Sequence, residues 1–210
     1  IMGIRADEKA RARDRIVEAA SVLIRDRGIA GLKVNDVMAA AGLTHGAFYA
    51  HFENKDALVE AAFHAALDHR EGWFRSAEKQ PRDRRAAHLC ATYLTERHRD
   101  HPGEGCAFAS LAREFAQSGG PFPEIFEQEL NVSLSRLATL ISDDTSALHD
   151  RQTAIGLLSL CVGGMVLARA VADQDLADEL LNAAAAYGAS ETRQVGHTPD
   201  TDNPKEKDPS

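Results

Sequence analysis

Gly42-Leu43-Thr44-His45-Gly46-Ala47-Phe48-Tyr49-Ala50-His51-Phe52-Glu53-Asn54-Lys55-Asp56-Ala57-Leu58 is the stretch that decides the fold. Gly42 permits a sharp turn, and Leu43 plugs the angle between the elements it joins. Thr44 is placed to N-cap a short helix over 45–52. Phe48 and Phe52, at i and i+4, share a face and pin that helix to a core. The same spacing leaves His45, Gly46, Ala47 and Tyr49 facing outward. Just upstream, Val34, Val37, Met38 and Ala41 mark the inward face of another short helix that ends at Gly42. Two short helices about a tight turn read as a helix-turn-helix, whose second helix enters the DNA major groove and meets base edges near its N-terminus.

Upstream, Ile16, Val17, Ala20, Leu23 and Ile24 recur at helical spacing within a helix over about 8–27. Arg11, Arg13, Arg15 and Arg25 lie mostly off that face, and Gly28 is a left-handed cap. Downstream, Asn54 caps a long helix from Lys55 to the mid-70s. Helices then follow from Pro81 to just before His101, and over 104–117, 123–141, 147–172 and from 176 to Tyr187, closed by Gly188. Ser142 to Ser146 is a polar break. The 36 alanines against 12 aromatics, with no proline in 1–80 or 124–198, favour helix throughout. The expected fold is all-α, with about nine helices: a three-helix head over 11–71 and a larger helical body over 72–188. Residues 189–210 are Pro-, Thr- and Asp-rich and are expected to be a disordered tail.

Composition excludes several classes. Cys90, Cys106 and Cys161 make neither a zinc spacing nor a disulfide framework, and fit a reducing, cytoplasmic setting. The longest uncharged apolar run, 154–168, falls short of the roughly 20 residues of a membrane span, so no membrane partner is expected. The net charge of −8 conceals an uneven distribution. Residues 1–55 carry nine Lys/Arg against seven Asp/Glu, whereas 56–210 carry 15 against 25. A basic head on an acidic body permits contact with DNA through the head, though such a head could bind other partners too. No nucleophile–base pair marks an enzyme, no cofactor is implied, and His88, His98 and His101 lack the spacing of a metal site.

Residues 42–58 closely resemble the tetracycline-repressor (TetR) family. The resemblance is carried by Gly42, Leu43, Thr44, Gly46, Tyr49-Ala50-His51-Phe52 and Lys55-Asp56-Ala57-Leu58, and extends at motif level over 11–71. It implies a homodimeric, ligand-responsive transcription regulator, usually a repressor that leaves its operator when an effector binds. It further implies that Thr44 caps the reading helix, that Tyr49 and His51 contact the DNA backbone, and that Lys55 meets a phosphate beside a helix N-terminus. Gly46 lets the helix approach the groove closely. Two positions depart from the family. Lys33 stands where a capping Thr or Ser is frequent, so the cap of the second helix is lost or moves to Asn35, and Lys33 is free for a phosphate. His45 and Ala47 stand where Lys and Thr are frequent; His45 suits guanine N7 or O6 and Ala47 a thymine methyl.

The body carries two further expectations. Gly156, Leu160, Gly163, Leu167 and Ala170 form one stripe of the long apolar helix. With Leu176, Leu180, Ala183, Ala184 and Tyr187 they are expected to build a four-helix dimer seam. An effector pocket is expected among the middle helices, with Trp73, Cys106, Phe108, Leu111, Phe115, Phe126, Leu130 and Cys161 as candidate lining. The partners expected are operator DNA, a second copy of the chain and a small-molecule effector. Two alternatives stay open: a thiol-responsive DNA-binding sensor acting through Cys106, and a helical interaction protein that does not bind DNA.

Overall fold

A computed structural model describes residues 2–142 and 147–194. Among them it has ten α-helices, three short 3-10 helices and no strand. The head consists of α1 (Met2–Gly31), α2 (Val34–Ala40), a 3-10 helix (His45–Ala50) and α3 (Lys55–Asp68). The body consists of α4 (Arg70–Glu78), α5 (Arg85–Tyr93), α6 (Glu96–Asp100), α7 (Ala107–Gln117), α8 (Phe122–Ile141), α9 (Ala147–Ala170) and α10 (Gln174–Gln194).

Local chemistry explains most boundaries. Gly42 has φ +71° and makes the turn after α2. Asn54 Oδ1 accepts the Ala57 N–H at 2.8 Å and starts α3. Pro123 lies in the first turn of α8, where its missing N–H costs nothing. Gly28, with φ +72° and ψ 175°, leaves helical geometry as the expected left-handed cap does, and only a short further turn carries α1 on to Gly31. Several expectations are corrected. The long helix expected after Asn54 is two helices that meet at His69. The one expected from Pro81 to just before His101 is interrupted at Leu94, because Thr95 caps a new helix by accepting the His98 N–H at 3.2 Å.

α10 also corrects the sequence reading. It runs past Gly188 to Gln194, so 189–194 are helical. Gly188 is buried, and a Cβ there would collide with the Cys90 thiol. This glycine answers to close packing and caps nothing. Residues 195–210 of the expected tail and 143–146 of the expected break lie outside the described residues.

Two apolar cores fill the molecule. The first joins Ile16, Ala20 and Ile24 of α1, Val37 and Met38 of α2, Phe48 and Phe52, and Leu58, Val59 and Phe63 of α3. It continues into the body through Phe108, Leu111 and Phe115 of α7. Phe63 sits at its centre, 4.3 Å from the Phe115 ring centroid and 5.9 Å from that of Phe126. The second core joins Phe74, Leu89, Leu137, Leu158 and Met165. α9 is long and apolar enough to cross a membrane by length and composition, beyond what the run 154–168 suggests. Here it packs between α8 and α10 and buries Ala154, Leu157, Leu158, Cys161, Met165 and Ala168.

Truncating Phe63 would leave a void where head and body meet. Phe63→Ala is expected to cost about 3–5 kcal/mol of unfolding free energy, read from urea denaturation. A loss below about 1 kcal/mol would mean that head and body are not packed together there.

Candidate nucleic-acid interface and internal cavity

The segment 44–51 forms a ledge on the first core. Phe48 and Phe52 are buried and stack at 5.8 Å with an interplanar angle of 22°. The Arg13 guanidinium lies 4.9 Å over the Phe52 ring. With its inner face so held, the ledge exposes Thr44, His45, Gly46 and Tyr49. Tyr49 is 71% exposed and presents its ring and hydroxyl to solvent. Its ring touches His45 and Phe48 edge-on, at 6.4 and 5.2 Å. Lys33 and Asn35 are exposed beside it at the start of α2, while Ala47 is half-buried against the core.

Several details differ from expectation. Thr44 has extended backbone and its side chain makes no capping hydrogen bond; its carbonyl accepts the Ala47 N–H at 3.0 Å. The helix it begins is 3-10 in geometry. Lys33 is the N-cap residue of α2, and no side chain caps that helix, so the cap does not move to Asn35. Lys55 is half-buried, and its Nζ donates to the Ile29 carbonyl at 2.8 Å, so one of its three donors is already engaged. His51 is half-buried, with Nδ1 lacking a hydrogen-bond partner. Burial, then Lys9 and Arg13, depress its pKa. Those two cations therefore belong to the same basic face. Sequence spacing missed them because they lie on α1, remote in the chain from the turn. Arg15 was missed too: its Nε donates to the Ala41 carbonyl at 3.2 Å and ties α1 to the end of α2.

A cavity of about 180 Å³ lies where the body meets α3, among α3, α4, α5, α6, α7, α8 and α9. Of the residues expected to line it, Trp73, Cys106 and Phe108 do so. The others do not. Leu111 and Phe115 are fully buried in the first core, and Phe126 packs on Phe63. Leu130 fills the space between the two cores. Cys161 is buried with its thiol donating to Cys90 Sγ at 3.9 Å. Amphipathic spacing marks an inward side chain but not whether it meets other side chains or an opening. The wall also includes Tyr93 and His98, which the sequence reading did not single out.

The wall is tied to the head. Arg25 was expected off the apolar face of α1, yet it is 3% exposed. Its Nη1 donates to the Gly105 carbonyl at 2.9 Å, and its Nε to that of Ser21. From the other side, Arg169 of α9 donates to the carbonyls of His98 and Arg99. Burial lowers the pKa of both guanidinium groups. At the far end of α7, Glu114 Oε2 accepts the N–H groups of Ile29 and Ala30, at 2.6 and 3.3 Å.

In the expected dimer seam, Gly156, Leu167, Ala170, Leu176, Ala183 and Tyr187 are exposed. Leu160, Gly163, Leu180 and Ala184 are half-buried. Leu160 packs beside Gly188 and Ala184 beside Gly164, so both serve the α9–α10 contact within the chain. Ile155 and Val166 add to the exposed apolar face of α9. Among the described residues no cluster of His, Cys, Asp and Glu has the arrangement of a metal site.

Comparison with known proteins bears on the head most directly. Residues 16–62 match the sequence profile of the bacterial regulatory proteins of the tetR family. The HTH-type transcriptional repressor KstR2 of Rhodococcus jostii is 31% identical over 78 residues, 37% of this chain and 38% of that protein. The HTH-type transcriptional regulator TtgR of Pseudomonas putida is 39% identical over 66 residues, 30% of this chain and 31% of its own. The chain thus matches under two fifths of the length of these curated relatives. Over the whole fold, a TetR transcriptional regulator from Chloroflexus aurantiacus superposes with TM-score 0.74 at 22% identity, over 90% of this chain and 97% of its own. AibR, solved with isovaleryl coenzyme A and operator DNA, superposes with TM-score 0.60 at 18% identity, over 84% and 97%. The tetR-type head therefore sits on a body of the same architecture.

His98 generates a pH prediction. Its Nδ1 lies 2.7 Å from the Tyr93 carbonyl, which can only accept, and its Nε2 accepts the Cys106 N–H at 2.9 Å. The proton is therefore on Nδ1. Burial lowers its pKa, assisted by Arg169 and Arg25 and opposed by the Tyr93 hydrogen bond. The unfolded chain takes up a proton near 6.5 where the native chain does not. Native stability should therefore fall as pH drops below about 6.5, until the depressed native value is reached. Nitrogen NMR of the imidazole at pH 7 should show the Nδ1–H tautomer; an Nε2–H form would contradict the assigned hydrogen bonds.

Proposed function

We propose that the protein is a homodimeric DNA-binding transcription regulator, a repressor whose grip on its operator is loosened by a small-molecule effector. The observation that carries this reading is the exposed His45–Tyr49 ledge, held from beneath by Phe48 and Phe52 and flanked by Lys9, Arg13, Lys33 and Lys55. Residues 11–71 form the DNA-binding domain, and 72–188 carry effector binding and dimerisation. His45 and Ala47 read base edges, and Gly46 allows the close approach. Thr44, Tyr49, His51 and Lys55, with Lys33 and Asn35 on the neighbouring helix, hold the phosphate backbone and set the register. Lys55 keeps donors for a phosphate while it holds Ile29. Such a regulator works inside the cell, on double-stranded DNA.

Two half-sites require a two-fold protein. The exposed apolar residues Ile155, Val166, Leu167, Leu176 and Tyr187 on α9 and α10 supply the seam. The cavity supplies the effector site. Its wall and the head share α7, and Arg25 and Glu114 join them. AibR, with an acyl-coenzyme A and operator DNA in one crystal, supports the combination of both binding functions on this architecture. A thiol-directed signal is the second reading, favoured by Cys106 lying on the cavity wall.

A gel shift with the DNA upstream of the protein's own gene, with and without oxidant, tests the function and separates the two signals. Lys55→Ala should weaken binding to all sequences alike and lower the salt-dependence slope by about 0.9 per half-site. A weakened complex with an unchanged slope would confine Lys55 to holding Ile29. Leu167→Glu alters a residue already 56% exposed in one chain, so the fold should tolerate it. Sedimentation should then show monomers, because burying unpaired like charges across a seam costs several kcal/mol. A persisting dimer would place the seam elsewhere.

A further inference from the structure

The chemistry of the cavity wall restricts what can enter. Trp73, Phe74, Phe108, Leu137 and Leu158 make it largely apolar. Its volume of about 180 Å³ is that of a single substituted ring, since a cavity of about 150 Å³ holds benzene. A ligand carrying a nucleotide would not be enclosed.

Nearly every polar group on the wall is already committed. Arg70 Nη2 donates to Glu129 Oε2 at 2.7 Å and its Nη1 to Ser133 Oγ at 3.0 Å, so its charge is matched. Ser133 donates to the Glu129 carbonyl at 2.9 Å. Trp73 Nε1 donates to the Leu89 carbonyl at 3.1 Å, and Thr92 to that of His88 at 2.8 Å. His98 uses both ring nitrogens. His69 is solvent-exposed. A carboxylate brought deep inside, away from the exposed His69, would lose its water and find no free counter-charge.

Tyr93 is the exception. The residue is 5% exposed and lines the cavity, and its hydroxyl, beside the Cys106 thiol, makes no hydrogen bond of ordinary geometry. Burial, reinforced by the neighbouring Cys106, pushes the phenol pKa well up, so the group keeps its proton. A buried O–H donor left unmet is costly, and an acceptor beside it relieves that cost.

We propose that the cavity takes a compact, uncharged, mostly apolar ligand with one acceptor oxygen, such as a single-ring ketone, and that the Tyr93 hydroxyl donates to that oxygen. This rests on the reading of the cavity as the effector site. It specifies a ligand chemistry different from the coenzyme A ester in the AibR crystal.

The test uses the full chain and three probes of nearly one shape: acetophenone, its hydrocarbon analogue α-methylstyrene, and benzoate. Calorimetric titration should show acetophenone binding about three- to tenfold more tightly than α-methylstyrene, with benzoate the weakest. Tyr93→Phe removes only the unpartnered oxygen. It should abolish the preference for the ketone, leave α-methylstyrene binding in place and not lower the melting temperature of the free protein. Benzoate binding most tightly, or a ketone preference that survives Tyr93→Phe, overturns the assigned chemistry while keeping the cavity as a binding site. Failure of all three probes to bind the wild type overturns both the chemistry and the cavity's role. Binding in the expected order with no change in DNA affinity leaves the chemistry standing and removes the effector role.

Discussion

The carboxylate of Glu114 meets the amides of Ile29 and Ala30, and the placement of the head depends on that contact. α1 turns at Gly28 with φ +72°, which exposes N–H groups that have no helical acceptor. Glu114 supplies the acceptor from α7. The backbone angle favours glycine here, and a Cβ would displace the Glu114 carboxylate from its place beside the turn. The Ile29 carbonyl in turn accepts Lys55 at the start of α3. One body residue thus fixes the end of α1, and through it the helix that follows the ledge.

The opposite end of α7 starts at the cavity. Cys106 and Ala107 stand on the wall, and the preceding Gly105 carbonyl is held by Arg25. Arg169 holds the carbonyls of residues 98 and 99. Neither arginine has a carboxylate partner among the described residues. Each buried charge is satisfied mainly by main-chain carbonyls, so moving the segment between them exposes an unmet cation. On the proposed reading, a ligand that shifted this segment would act on α1 through Arg25 and on the Ile29 turn through α7. Both routes end at the basic face.

The sequence made legible whatever local chemistry decides. The bounds of α2, the turn at Gly42, the cap by Asn54 and the buried pair Phe48 and Phe52 follow from residue type and spacing. What depends on distant partners was hidden. Gly28 does end the first helical stretch, but its bracing by Glu114 was not legible, and Gly188, which suggested a helix end, is a close contact with Cys90 inside α10. Arg25 looked like a surface charge because its acceptor is 80 residues away. Thr44 has the residue type of a cap without the bond, since a 3-10 turn already pairs its carbonyl with Ala47. The cavity was the least legible part, because spacing cannot separate Phe108, on the wall, from Leu111 and Phe115, in solid core.

Selection from randomised duplex DNA by the full chain tests the central claim most directly. A two-fold reader that uses one ledge per chain should enrich two copies of a short half-site in inverted orientation, their centres about 10 base pairs apart or a multiple of that. Recovery of no preferred sequence, or of a single half-site without its inverted partner, would contradict the account.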